Sequence, residues 1–116
     1  AVMVTGMDQG LVAYPFDIWR TIEAKFESLS ETGSAMRRFR RAFIGHASKC
    51  PLDKQGRILI PQTLRDYGDL EKETVLVGVL KNFEIWSKTR LEEQNALVEE
   101  DMQKEDVRQE IARLGL

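Results

Sequence analysis

Apolar positions recur along this chain with two different periods, and each change of period marks a new element. Residues 4–14 (V-T-G-M-D-Q-G-L-V-A-Y) and 76–86 (L-V-G-V-L-K-N-F-E-I-W) each read as strand, tight turn and second strand ending on a large aromatic. The two align without gaps at an offset of 72, setting Gly6 on Gly78, Gly10 on Asn82, Leu11 on Phe83 and Tyr14 on Trp86. Shared glycine, turn and aromatic make this an internal repeat. Gly10 and Asn82 are residue types that tolerate positive φ, so they are the expected turn positions.

Helical spacing follows each hairpin. Ile18, Ile22, Phe26 and Leu29 form one apolar face, and Met36, Phe39 and Phe43 form a second. Ser30, Thr32, Gly33 and Ser34 connect these helices, with Ser34 as the expected N-cap of the second. Ser87 is placed to cap a third helix. Its stripe of Leu91, Val98 and Met102 falls out of phase with Val107, Ile111 and Leu114, which predicts a break near residues 103–105.

A further piece precedes only the second hairpin. Residues 48–70 read as strand, turn, strand and short helix: Asp53, Lys54, Gln55 and Gly56 form the turn, and Arg57, Ile58, Leu59 and Ile60 the β-rich strand. Pro61 suits a helix start and Gly68 a helix end. The corresponding piece of the first repeat would lie before Ala1. The expected fold class is therefore α+β, with an incomplete first repeat and its helix over 1–30. A connecting basic helix follows over 31–47, then a second repeat over 48–90 and an acidic helical tail over 91–116.

The overall charge of −2 conceals a strong asymmetry. Residues 37–65 hold eight Lys/Arg and one acid, Asp53, a local +7, whereas residues 91–116 hold eight acids and three bases, a local −5. Such blocks predict a basic working surface and an acidic tail that is solvated or meets a basic neighbour. No apolar run approaches the length of a membrane span, and the amino end shows no secretion-signal pattern. A lone Cys50 excludes an internal disulfide framework and suits a reducing cytoplasm.

The composite motifs resemble the MraZ family of bacterial transcription factors, relatives of the AbrB/SpoVT DNA-binding proteins. The resemblance is carried by G-H-A-S-K-C-P-L-D-K-Q-G-R-I-L-I-P-Q-T-L-R (45–65), V-L-V-G-V-L-K-N-F-E-I-W (75–86) and Y-P-F-D-I-W (14–19). It implies two AbrB-like split β-α-β halves per protomer, protomers closed into a ring, and repression of the division and cell-wall gene cluster through short promoter direct repeats. Each half of such a protein offers a D-x-x-x-R hairpin to double-stranded DNA. Here Asp53 and Arg57 supply the second, while the first falls outside this sequence.

The residue chemistry agrees with that role. Arg57 at the root of a β-hairpin presents a planar donor fork suited to guanine or phosphate, and a β-ribbon fits the major groove. Asp53 would hold Arg57 or the turn amides, and Lys49 and Lys54 would add phosphate attraction. The plainer reading is that Asp53 and Arg57 staple an exposed turn. Arg37, Arg38, Arg40 and Arg41 read first as a solvated or subunit-facing surface and second as a DNA contact.

His46 and Cys50 are too few for a structural zinc site, and Cys50 reads as a packed core residue. The tail carboxylates Glu92, Glu93, Glu99, Glu100 and Asp101 have nothing to desolvate them, and no glycine-rich phosphate loop is present. The chain therefore reads as a non-enzyme with no metal or cofactor, working in the cytoplasm at the nucleoid. The competing reading is an antitoxin-like module whose acidic tail clamps a basic partner protein.

Overall fold

Period-two alternation in the first fifteen residues produces a hairpin whose two faces are both covered. The computed structural model describes residues 1–30 and 33–116, so Thr32 of the expected connection lies outside the described residues. Strands β1 (Val2–Met7) and β2 (Gly10–Pro15) lead into helix α1 (Phe16–Glu27), followed by α2 (Ser34–Gly45), β3 (Ser48–Cys50) and α3 (Gln62–Gly68). Strands β4 (Thr74–Val79) and β5 (Asn82–Ser87) then lead into α4 (Lys88–Ala96), α5 (Val98–Met102) and α6 (Glu105–Arg113). The class is α+β, with one antiparallel sheet in the order β3-β1-β2-β5-β4.

The offset of 72 is kept in the ladders. Met7 pairs Gly10 and Val2 pairs Pro15 in the first hairpin, as Val79 pairs Asn82 and Thr74 pairs Ser87 in the second. Where the hairpins join, Val12 lies opposite Glu84, its own counterpart at that offset, flanked by Leu11–Ile85 and Ala13–Phe83. The two copies therefore meet strand to equivalent strand, as in a two-fold pair. Helices α1 and α4 begin at equivalent positions, after Pro15 and Ser87. The Ser87 hydroxyl accepts the Arg90 amide at 3.1 Å, the cap expected of it.

Alternate residues of β1 and β2 feed separate cores, as the pleat requires. Val4, Leu11, Ala13, Cys50 and Ile85 pack on one face with Leu64 of α3, and Ile58, Ile60, Leu70 and Phe83 close around them. Val12 packs on the other with Trp19 of α1 and Phe43 of α2. Thr5 points to the α2 side, fully buried, and donates to the Phe43 carbonyl at 2.6 Å, satisfying an orphan group at a helix end.

Four expectations are corrected. Positive φ falls on Asp8 (57°), Gln9 (72°) and Leu80 (56°), not on Gly10 or Asn82, because those two already pair in the ladder as first strand residues. Gly10 serves another purpose: a Cβ there would stand 2.8 Å from the Trp86 indole. The N-cap of α2 is Gly33, whose carbonyl accepts the Arg37 amide, and Ser34 is already helical. Leu29 lies beyond α1 and is exposed; Trp19 occupies the centre of the buried face instead. Residues 57–60 form no ladder among the described residues. Ile58 and Ile60 turn inward onto the core at one face of the sheet and Leu59 faces outward, so the segment packs by its side chains instead of pairing along an edge strand. The tail breaks at Gln103–Lys104 as the phase shift predicts, and also at Leu97.

Gly10→Ala follows directly from the indole contact. The ring is buried and rigid, so the added methyl must displace it; a loss of ~1–3 kcal/mol is expected in urea unfolding. An unchanged midpoint would show that the β2–β5 seam is loosely packed.

Candidate nucleic-acid interface

The turn between β3 and α3 is organised by one carboxylate. Asp53 Oδ1 accepts the backbone amides of Gln55 at 2.9 Å and Arg57 at 2.8 Å. Its main chain closes the same loop: the Asp53 amide donates to the Arg57 carbonyl at 2.9 Å, and its carbonyl accepts from Gly56 at 3.0 Å. Gly56 has φ +77°, which an L side chain would strain. Asp53 Oδ2 remains for the Arg57 side chain, whose Nε donates to it at 2.9 Å. Arg57 Nη2 also reaches Gln55 Oε1 at 3.4 Å, a weak contact.

This arrangement sets the direction of the guanidinium. With Nε tied back to Asp53 and Nη2 only weakly held by Gln55, the end of the guanidinium stays open to solvent, and the Arg57 side chain is 75% exposed. Below the turn, Ile58 and Ile60 anchor the chain in the core, and a cavity of about 350 Å³ runs between Arg57, Ile58, Leu76 and Phe83. The backbone hydrogen bond from Arg57, then its side chain and the Gln55 amide, hold the Asp53 carboxyl below the usual carboxylate range despite some desolvation.

The structure brings Asp53 and Arg57 together and places Lys54 on the same exposed turn. Lys49 points elsewhere: it is exposed on edge strand β3, with Nζ 4.5 Å from the centre of the Phe16 ring. One tertiary tie had no sequence signal. Arg90, from the second repeat, donates through Nη1 to the carbonyls of Gln9 at 2.9 Å and Tyr67 at 2.6 Å, binding the first hairpin turn to the end of α3. Cys50 is buried and its thiol pushed up by desolvation, which fits a packing residue. No cluster of three or more His, Cys, Asp or Glu could hold a metal among the described residues. No helix among them is long and apolar enough to cross a membrane.

The comparisons decide the family. The profile described as "MraZ protein, putative antitoxin-like" matches residues 43–113. The chain belongs to the MraZ family. The "Transcriptional regulator MraZ" of Desulforapulum autotrophicum is 52% identical over 99% of the chain and 77% of that protein. The protein of the same name from Desulfosudis oleivorans is 52% identical over 98% of the chain and 78% of its own length. The one from Acetivibrio thermocellus is 39% identical over 99% and 79%. In this MraZ-family chain the turn around Asp53 lies inside the matched segment.

The lowered Asp53 pKa fixes the sign of an acid response. A depressed folded value means the turn is stabilised above the unfolded carboxylate pKa and loses that contribution as pH falls through the folded value. The Gln55 and Arg57 amide NMR signals should hold steady from pH 8 to about pH 5 and move only below about pH 4. Movement centred near neutrality would assign the turn to some other group.

Proposed function

We propose that this chain is a sequence-specific DNA-binding transcriptional repressor that reads promoter direct repeats with the Asp53–Arg57 turn. The observation that carries the reading is the tethered guanidinium: an exposed turn holds Arg57 through Nε to a carboxylate that also fixes the backbone. The guanidinium donors match guanine O6 and N7, which an exposed turn can reach in the major groove. Lys54 supplies phosphate attraction beside it, and Lys49 does so once released from the Phe16 ring. Relatives named as transcriptional regulators support the regulatory role. The target is the bacterial division and cell-wall cluster, and the site of action is the cytoplasm at the nucleoid.

One such turn buries little surface, so affinity comes from several copies meeting spaced repeats in a ring-shaped homo-oligomer. Fluorescence anisotropy on promoter DNA with intact, scrambled and re-spaced repeats tests this. Preference for the intact repeats is expected, with log affinity falling linearly in log salt. Equal binding to all three at every salt concentration would overturn it. That result would favour the second reading, an antitoxin-like module binding a basic protein, which the exposed acids Glu99, Glu100, Glu105 and Asp106 of the tail support.

A further inference from the structure

Strand β3 pairs with β1 only as far as Val4, and beyond that point a cavity of about 440 Å³ opens between the β1–β2 turn, α2 and α3. Its volume lies within the roughly 300–1,000 Å³ usual for small-molecule pockets. Phe39, Ala42 and Phe43 of α2 form one wall, and Thr63, Leu64 and Tyr67 of α3 the other. Both walls are preformed. Phe39 stacks on Phe43 with ring centres 5.3 Å apart. The Tyr67 ring lies so close over Gly6 that a Cβ there would stand 2.6 Å from it, and its hydroxyl accepts the Gln9 amide at 3.1 Å. Phe39 and Tyr67 are nonetheless exposed, so two fixed aromatic groups leave apolar surface in water around one hollow.

The rim supplies polar groups with unused hydrogen-bonding capacity. The Thr63 hydroxyl and the His46 imidazole line the cavity and make no hydrogen bond among the described residues. Helix α2 carries four arginines and no acid. Arg38, one helical turn before Ala42, is exposed on the flank of the cavity and unpaired among the described residues. Asp8, on the β1–β2 turn, is the only acid in the lining.

We propose that this cavity binds a small aromatic carboxylate, its ring between Phe39 and Tyr67 and its carboxylate drawn to Arg38, with Thr63 and His46 as hydrogen-bond partners. The arginines of α2 select an anionic head over a cationic one, and Asp8 turns that head toward the α2 side. No residue of the Asp53–Arg57 turn lines the cavity, so the site stands whether or not that turn reads DNA.

Three probes that share one ring system separate apolar fit from charge: naphthoate, the neutral naphthalenemethanol and the cationic naphthylmethylamine. Calorimetric titration should give saturable binding of one naphthoate per chain, about tenfold tighter than the alcohol, with the amine weakest. The amide NMR signals that move should centre on Ala42, Thr63 and Tyr67. Arg38→Gln should bring naphthoate close to the level of the alcohol and leave the alcohol unchanged. Ala42→Trp on one wall, and separately Thr63→Trp on the other, should fill the hollow and abolish binding. Both replaced side chains are exposed, so thermal unfolding should show the fold retained, and either variant alone suffices if the other unfolds. Absence of saturable naphthoate binding up to about 1 mM, equal affinity for all three probes, or wild-type affinity in a folded tryptophan variant would each overturn the site.

Discussion

Replacing Arg57 with alanine should lower affinity for the intact promoter repeats by about 5- to 150-fold per engaged copy, the equivalent of ~1–3 kcal/mol for a bidentate base contact. With two or more copies on spaced repeats the losses compound, so the measured drop should exceed the single-site figure. Thermal unfolding should hardly move. The Arg57 side chain is three-quarters exposed, and the amide that bonds Asp53 Oδ1 survives the substitution. Two further variants separate direction from charge. Arg57→Lys keeps the charge but loses the planar fork, so binding to scrambled DNA should persist while preference for the repeats falls. Asp53→Asn keeps an oxygen for the Gln55 and Arg57 amides but cannot accept from Nε on the second atom. It should cost less affinity than Arg57→Ala and should flatten the preference between repeats. Wild-type affinity and preference from the alanine variant would remove this turn from the reading surface.

How far the chain could be read in advance depended on whether a feature was local. The two hairpins were legible because alternation, aromatic ends and a constant offset all recur, and the ladders keep that offset pair by pair. Asp53 and Arg57 were legible as a pair, since carboxylate, glycine and arginine fall within one turn. That Oδ1 takes two amides and leaves Oδ2 for Nε is settled only by the folded turn.

Tertiary facts were hidden. Gly10 looks like a turn residue in sequence, but what demands glycine is an indole from residue 86. Residues 57–60 have the composition of a strand, yet composition reports a fit to a pleated surface and does not say whether the backbone will pair. Arg90 left no trace, because its two carbonyl acceptors come from segments 81 and 23 residues away.

The second large effect concerns stability. Phe43→Ala should cost ~3–5 kcal/mol, a large part of the 5–15 kcal/mol that holds a typical domain folded. Phe43 is 4% exposed and is where α1, α2 and the sheet converge: its ring lies 5.5 Å from Trp19, 5.9 Å from Phe26 and 5.3 Å from Phe39. Phe43 also lines the 440 Å³ cavity, so the volume vacated joins an existing hollow that neighbours do not fill, placing the loss high in that range. The damage should be uneven. Helix α2 would loosen, weakening the Thr5 hydroxyl bond to the residue 43 carbonyl. The Asp53–Arg57 turn hangs from the opposite face of the sheet and should keep its amide signals in whatever fraction remains folded. Urea unfolding gives the magnitude, and amide spectra give the partition. A loss below about 1 kcal/mol would mean that α2 is not sealed to the sheet, and the basic helix would then be free to move as a separate arm.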